Sequence, residues 1–287
     1  MRTIGALAFV CCSLCTVVEN ALASPWDRPR HLVFGEGAHW LVVDTQSWAV
    51  ERLSLPTASI QGVAISDDGQ RFAYVAPARK DSSSGLWTWR RGDKVPRLLG
   101  SEPGRYSDPA FAPDGSLYFS HSTQDGSRHM FGSYAQLFRL PGDRNEAERV
   151  TDENGCHFSA SFTGAGVLNY IHSSCAGQTW VKRRHPGSSP KVLVSAMGTL
   201  AEATTSPDGE AVLYVAVDPD TYILSTRRRA ETASRVITRL RRTMSRVRPQ
   251  FGRDLREVLY QSDGKIWIWR DGKITAFAPL VLEMGSR

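Results

Sequence analysis

The stretches GVAISDDGQRFAYVA (62–76) and EATTSPDGEAVLYVA (202–216) decide the fold, because they are two of five copies of one pattern. In each copy a short strand-like segment leads into a polar turn, and an apolar segment containing Tyr follows. The other copies are DPAFAPDGSLYFSH (108–121), SASFTGAGVLNYIHS (159–173) and RPQFGRDLREVLYQS (248–262). They recur at intervals of 43 to 51 residues. A period of this length, with four strands per unit, is typical of a β-propeller blade.

One unit shows how four strands fit the period. Residues 109–112 predict an inner strand and 117–120 a second strand, with the turn Pro-Asp-Gly between them. Residues 136–140 then predict the third strand and 148–150 the outer one. Asp-Gly pairs favour such tight turns because Gly readily adopts a positive φ. The pattern therefore predicts four-stranded antiparallel blades and an all-β fold.

The two chain ends are predicted to share a sixth blade. Residues 31–34, 39–44 and 49–53 match the second, third and fourth strands of a blade without an inner strand. The apolar segment 279–284 can supply that strand. Joining the two ends closes the ring and removes exposed strand edges. We therefore expect one six-bladed propeller domain over residues 31–287.

The N-terminus has the pattern of a secretory signal peptide. Arg2 precedes an apolar run at 4–18, and Ala21-Leu22-Ala23 places small residues before a cleavage site. The alternative is a membrane anchor, but the run is shorter than the roughly 20 residues that cross a bilayer. We expect a signal peptide at 1–23, a short leader at 24–30 and a periplasmic or secreted protein with no membrane span.

Cleavage at this site leaves two cysteines, Cys156 and Cys175. The repeat places both at the same end of one blade, and an oxidising compartment favours a disulfide between them. The alternative is a metal site, since the chain runs Cys156-His157 and then His172-x-x-Cys175. Zinc takes four ligands of these types. The disulfide is the favoured interpretation, and no metal or cofactor is expected.

Positive charge is concentrated in one segment. Residues 227–248 hold nine Arg and one Glu, whereas the whole chain has a net charge of +6. Helical spacing of apolar residues at 237–247 allows an amphipathic helix. The repeat instead predicts strands at 222–225 and 234–238, which is the favoured interpretation. A basic rim is then expected at one end of the ring, formed by Arg239, Arg241, Arg242 and Arg246.

The phrases DPAFAPDGSLYFS (108–120) and EATTSPDGEAVLYVA (202–216) resemble the repeat of TolB-type propellers. That repeat has an acidic residue, Pro, an aromatic residue, Ser-Pro-Asp-Gly and a strand with an aliphatic residue and Tyr. The resemblance covers the chain from about residue 30 onward and implies a propeller. It does not imply one activity, because such repeats occur in a periplasmic translocation protein, in peptidase accessory domains and in polysaccharide lyases. The Gly-x-Ser-x-Gly motif of the peptidases is absent from this sequence.

Candidate binding residues lie where inner strands start and second strands end. Propellers commonly bind ligands at this end of the channel. The candidates for the binding face are Glu36, Asp108, His121, His172, Glu202 and Arg248. His121 and His172 occupy equivalent places in adjacent blades, so together they offer two imidazoles for a metal or for acid–base chemistry.

The sequence predicts a non-catalytic binding module whose partner is a protein in the cell envelope or outside the cell. Nucleic acid is not expected for an exported chain without a recognisable aromatic and basic platform. Carbohydrate is an alternative ligand. The alternative function is a metal-dependent polysaccharide lyase or hydrolase that uses His121 and His172, and a third is an envelope-anchored scaffold.

Overall fold

The computed structural model describes most of the chain after the leader. The described residues are 26, 30–36, 39–55, 60–78, 84–100, 102, 104–123, 134–142, 146–174, 176–242, 247–263 and 265–277. The signal peptide proposed at 1–23 and the closing strand proposed at 279–284 lie outside them.

The described residues form 23 strands in six antiparallel sheets, which are the blades of a propeller. Blade 1 contains β1 (His31–Glu36), β2 (His39–Asp44) and β3 (Val50–Leu53). Blade 2 contains β4 (Gly62–Ile65), β5 (Arg71–Pro77), β6 (Ser84–Arg90) and β7 (Arg97–Gly100). Blade 3 contains β8 (Gly104–Phe111), β9 (Leu117–Thr123), β10 (Ala135–Leu140) and β11 (Glu148–Arg149).

The remaining blades have the same strand order. Blade 4 contains β12 (Cys156–Phe162), β13 (Leu168–Ser173), β14 (Gln178–Arg184) and β15 (Lys191–Met197). Blade 5 contains β16 (Thr199–Thr205), β17 (Ala211–Val217), β18 (Thr221–Arg228) and β19 (Arg235–Arg241). Blade 6 contains β20 (Gln250–Phe251), β21 (Glu257–Ser262), β22 (Lys265–Arg270) and β23 (Lys273–Ala276).

The six-bladed, all-β fold predicted from the repeats is confirmed. Each of the five repeated phrases spans an inner strand, a turn and a second strand, and the three predicted strands of blade 1 correspond to β1–β3. Blade 1 has three strands within the described part of the chain. The identity of its fourth strand stays a prediction.

Six apolar clusters hold the ring together, one at each junction between neighbouring blades. The junction of blades 6 and 1 closes the ring, where Leu259 and Ile266 pack against Phe34 and Val43. Blade sheets project side chains from both faces, so each blade contributes to two clusters. Trp87 and Trp89, on the third strand of blade 2, pack against the junction of blades 1 and 2.

The Arg-rich segment forms strands, as the repeat predicted. β18 and β19 pair in register, with Thr221 opposite Arg241 and Ile223 opposite Arg239. The amphipathic helix is therefore wrong for the described residues up to 242. Ile237 and Leu240 pack against the junction of blades 5 and 6, which the strand geometry allows without a helix.

Candidate functional site

A central channel of about 250 Å³ runs between the inner strands. Asp108, Glu202 and Arg248 line it together, within the inner strands of blades 3 and 5 and shortly before the inner strand of blade 6. We call these three residues the charged mouth. Three of the six binding-face candidates are therefore brought to one site. Of Glu36, only the backbone at the end of β1 is described.

β-Bulges turn residues of the inner strands toward the channel. The register of the inner strand shifts between Ser107 and Ala110 in blade 3, and between Phe158 and Ser161 in blade 4. Asp108 and Ser159, inside these bulges, have positive φ values of 50° and 56°. A bulge re-aims side chains at a strand edge and is common beside functional sites. The bulges of blades 3 and 4 therefore contain two of the residues that line the channel, Asp108 and Ser159.

Glu202 is held beside the neighbouring blade through Ser159. The Ser159 hydroxyl lies 3.4 Å from Glu202 Oε2, donates to the carbonyl of Ala203 at 3.1 Å and accepts from the Ala203 amide at 3.0 Å. These contacts join the inner strands of blades 4 and 5. The carboxylate therefore projects from a braced part of the ring.

Arg248 connects blade 6 with blades 1 and 2 across the channel mouth. Its Nη2 donates to the carbonyl of Gln61 at 3.1 Å. Its guanidinium lies over the Trp40 ring, 5.1 Å from the centroid, in a cation–π contact. Arg248 therefore stabilises the ring as well as presenting charge at the channel.

The leader reaches the opposite end of the channel, which the sequence did not indicate. Trp26 Nε1 donates to Asp208 at 2.8 Å, and its ring meets Phe251 edge-on. Arg30 Nη2 donates to the carbonyls of Phe251 and Gly252. Burial lowers the pKa of Arg30 to about 10. The two channel ends therefore differ, with the charged mouth at one and leader side chains at the other.

Contrary to expectation, His121 and His172 do not line the channel. Both are buried, with 3% and 6% of their surface exposed. His121 stacks on Tyr106 at the junction of blades 2 and 3. His172 lies on the same face of β13 as Tyr170, which packs at the junction of blades 3 and 4. Side chains of a blade sheet project toward neighbouring blades rather than toward the axis, so equivalent positions lie at different junctions.

A polar cluster contains His157 and His172, two residues of the metal alternative from the sequence, together with Glu153, which the sequence did not indicate. Glu153, His157 and His172 have possible metal-ligand atoms within 4.8 Å of one another, and we call them the imidazole cluster. Among the described residues they are the group that could hold a metal ion. His157 and His172 are opposite each other on β12 and β13, with ring centroids 4.5 Å apart. Lys182 Nζ forms a salt bridge with Glu153.

Burial keeps the two imidazole rings of the cluster uncharged at neutral pH. Burial, with the nearby His172, lowers the pKa of His157 to about 4. Burial also lowers the pKa of His172, although Asn154 and Glu153 act in the other direction. For Glu153, burial raises the pKa, but the Lys182 hydrogen bond and charge outweigh it, so the net pKa is lowered. At neutral pH the cluster therefore combines neutral imidazoles with a carboxylate.

The predicted basic rim lies far from the channel. Arg239 and Arg241 are exposed on β19, the outer strand of blade 5, and Arg242 follows it. Three strand spacings separate the outer from the inner strand, roughly 14 Å. Arg246 lies outside the described residues. These arginines form an outer edge rather than part of the charged mouth.

The disulfide stays a prediction. Cys156 begins β12 opposite Ser173 at the end of β13, which agrees with the expected end of the blade. Cys175 lies outside the described residues, two positions beyond Ser173.

The described part of the chain contains no helix that is long and apolar enough to cross a bilayer.

Comparison with known proteins identifies the fold. No protein-family model and no curated protein match the chain. TolB from Acinetobacter baumannii matches at 18% identity and a TM-score of 0.67, over 88% of this chain and 63% of that chain. A nidogen/laminin complex matches at 13% identity and a TM-score of 0.64, over 87% of this chain and 93% of that chain. Oligogalacturonate lyase in complex with manganese matches at 14% identity and a TM-score of 0.55, over 87% of this chain and 74% of that chain.

These likenesses show the fold alone. The chain spans less than two thirds of the Acinetobacter TolB that it matches. It has the fold of TolB-type six-bladed β-propellers, as its repeats predicted. One fold carries many functions, so the role of this protein has to be argued from its site.

Proposed function

We propose that the protein is an exported, non-catalytic β-propeller that binds a protein partner at its charged mouth. The supporting observation is that Asp108, Glu202 and Arg248 line one channel. Glu202 precedes the end of β16, whereas Trp26 of the leader contacts Asp208 in the turn beyond that end. Charges of both signs at such a site favour one orientation of a partner and speed its encounter. The matched nidogen propeller is part of a complex with laminin, which supports this use of the fold.

Capture of the partner tests the charged mouth. The bait is the chain from residue 24, and the source is the envelope fraction of the cell that secretes it. The Asp108→Asn, Glu202→Gln double variant should capture at least about tenfold less partner, equivalent to roughly 1.4 kcal/mol. Both changes keep side-chain shape, so the ring should stay folded by circular dichroism and thermal melting.

A matched control removes a carboxylate elsewhere. Glu210 is exposed on the turn between β16 and β17, at the opposite end of the ring, where it meets Arg229 at 3.5 Å. Glu210→Gln should leave capture unchanged. Equal capture by the double variant and by this control would contradict the proposed face. A carbohydrate that competes for capture would place a glycan at the same mouth.

We also propose that the protein is periplasmic or secreted. The proposal rests on the signal-peptide pattern at 1–23. Intact-mass measurement of the cellular protein should show an N-terminus at Ser24. A retained N-terminus would instead favour the envelope-anchored scaffold.

The alternative of a metal-dependent lyase or hydrolase loses its predicted catalytic pair. His121 and His172 are buried at different blade junctions, and a polymer substrate reaches neither side chain without opening the ring. An acid and a base have to lie within hydrogen-bond reach of one reacting group. We therefore do not propose these two residues as a catalytic pair.

A further inference from the structure

Blades 3 and 4 each have a pair of aromatic rings at equivalent positions of the inner and second strands, but one ring of the pair differs. Tyr106 and His121 in blade 3 lie 51 residues before His157 and His172 in blade 4, and each pair is matched across the inner and second strands. In blade 3 the rings stack with centroids 4.3 Å apart, and the Glu102 amide donates to the Tyr106 hydroxyl at 3.2 Å. In blade 4 an imidazole replaces the tyrosine.

The side chain of His157 is fully buried, and both ring nitrogens lack a partner in good geometry among the described residues. The Ala135 backbone lies near the His157 ring and acts to raise its pKa, but it forms no hydrogen bond of good geometry. Buried polar groups are nearly always paired, and each exception calls for a ligand, a water or a chemical role. In the neighbouring blade a tyrosine, Tyr106, occupies the equivalent position. Packing alone therefore does not explain why an imidazole is at this position.

His172 faces two hydrogen-bond acceptors. Its Nε2 lies 3.0 Å from the carbonyl of Asn154, and its Nδ1 lies 3.1 Å from Glu153 Oε2. A carbonyl only accepts, so the first contact requires a proton on Nε2. A neutral ring then directs the lone pair of Nδ1 toward a carboxylate, and these two groups repel unless a cation lies between them. Ligating histidines commonly donate their other N–H to a backbone carbonyl in this way.

We propose that Glu153, His157 and His172 bind one divalent transition-metal ion, with Zn²⁺ the best match, at the junction of blades 3 and 4. Two imidazoles and one carboxylate are ligands that zinc prefers. Ligands of a tetrahedral zinc ion lie about 3.3 Å from one another, which the 3.1 Å pair already meets. The third ligand atom lies within 4.8 Å of the others, so a side-chain movement of about 1.5 Å brings it to the spacing of a zinc ligand. This proposal is independent of partner binding at the charged mouth.

The ion has a structural task in this position. Glu153 lies in the connection from blade 3, whereas His157 and His172 lie on β12 and β13 of blade 4. One ion therefore fastens the connection to the sheet that follows it. Lys182 Nζ already contacts Oε2 of Glu153, the same oxygen that faces His172. A carboxylate has two oxygens and about four acceptor positions, so the ion can bind at the acceptor positions of Glu153 that Lys182 does not use.

Titration of the full chain tests the site. After treatment with a chelator, Zn²⁺ should bind with a stoichiometry of one by calorimetry. Co²⁺ should give the strong visible absorption of a tetrahedral site. His157→Tyr and Glu153→Gln should each weaken binding at least about tenfold. His185→Ala, which removes an exposed histidine elsewhere on blade 4, should bind as the unchanged protein does.

His157→Tyr is the decisive variant, because Tyr106 occupies the equivalent slot in blade 3 and the variant is expected to fold. Near-ultraviolet circular dichroism of the metal-free proteins checks this. Absence of stoichiometric binding in the unchanged protein would overturn the proposal, as would binding that survives in both cluster variants. Detection by ¹⁵N NMR of a doubly protonated His172 in the metal-treated protein at neutral pH would also overturn it, since a proton would then occupy the place of the ion.

Discussion

At the scale of single residues, the difference between Tyr106 and His157 has a thermodynamic consequence. Tyr106 satisfies its hydroxyl through the Glu102 amide, whereas His157 is buried as a neutral ring whose pKa is about 4 instead of 6.5. Between about pH 4 and pH 6.5 the unfolded chain binds a proton at this ring and the folded protein does not. Folding stability is therefore linked to pH through this one side chain.

The pH dependence of unfolding should report His157. Its contribution is fully present above pH 6.5 and is lost as the pH falls toward about 4, because the folded-state pKa is the lower one. The interval corresponds to about 3 kcal/mol. Urea unfolding of metal-free protein should lose about this much more stability over the interval than the His157→Tyr variant loses. Parallel curves for the two proteins would contradict the assignment.

The sequence identified part of this cluster, because the metal alternative named His157 and His172 together with two cysteines. The repeat also predicts His172 as a channel residue, which the burial of its ring contradicts. Burial of the rings depends on which face of each strand meets a neighbouring blade, and the repeat alone did not settle that face. Alignment of Tyr106 with His157 at the 51-residue offset was the available signal. Glu153 gave none, because it lies in a connection rather than in a strand.

At the scale of elements, the inner strands act as supports between blades. The bulge in β12 gives Ser159 a positive φ of 56° and directs its hydroxyl to blade 5. There it accepts from the buried amide of Ala203 and donates to the same residue's carbonyl. Ser161, two residues along the strand, has a buried hydroxyl without a hydrogen-bond partner among the described residues.

This contrast predicts opposite outcomes for two similar substitutions. Ser159→Ala leaves the Ala203 amide buried without its partner and should cost about 1–3 kcal/mol of unfolding free energy. Ser161→Ala removes an unsatisfied hydroxyl and should be neutral or slightly stabilising. Urea unfolding of both variants measures the difference. If Ser159→Ala were as stable as Ser161→Ala, the contact between blades would contribute nothing to the ring.

At the scale of the whole molecule, the ring was predictable because its information is repeated. Asp-Gly turns and Tyr-containing strands set the blade period. Even the copies at 159–173 and 248–262, which lack an Asp-Gly pair, form the expected strands. The docking of Trp26 and Arg30 at one channel end was not predictable, because it depends on contacts with Asp208 and Phe251, about 180 to 220 residues away. A repeat specifies its blades but not what a leader does on their surface.

The ring closes at blade 1, whose inner strand is predicted to come from the C-terminus. Blade 1 joins blades 6 and 2 through two apolar clusters, and it shows three strands in the described part of the chain. The sequence assigns its inner strand to 279–284, which contains Leu280, Val281 and Leu282. Deletion of residues 278–287 should then remove an inner strand and leave blade 1 held by the remaining three.

The expected cost is set by the side chains that the strand buries. Two buried aliphatic residues contribute about 3–6 kcal/mol, so the truncated chain should melt several degrees lower and less cooperatively by calorimetry. Deletion of 285–287 alone is the matched control and should leave the melting temperature unchanged. If both truncated chains melted like the full chain, the inner strand of blade 1 would have to come from another segment, and the ring would not be closed by its C-terminus.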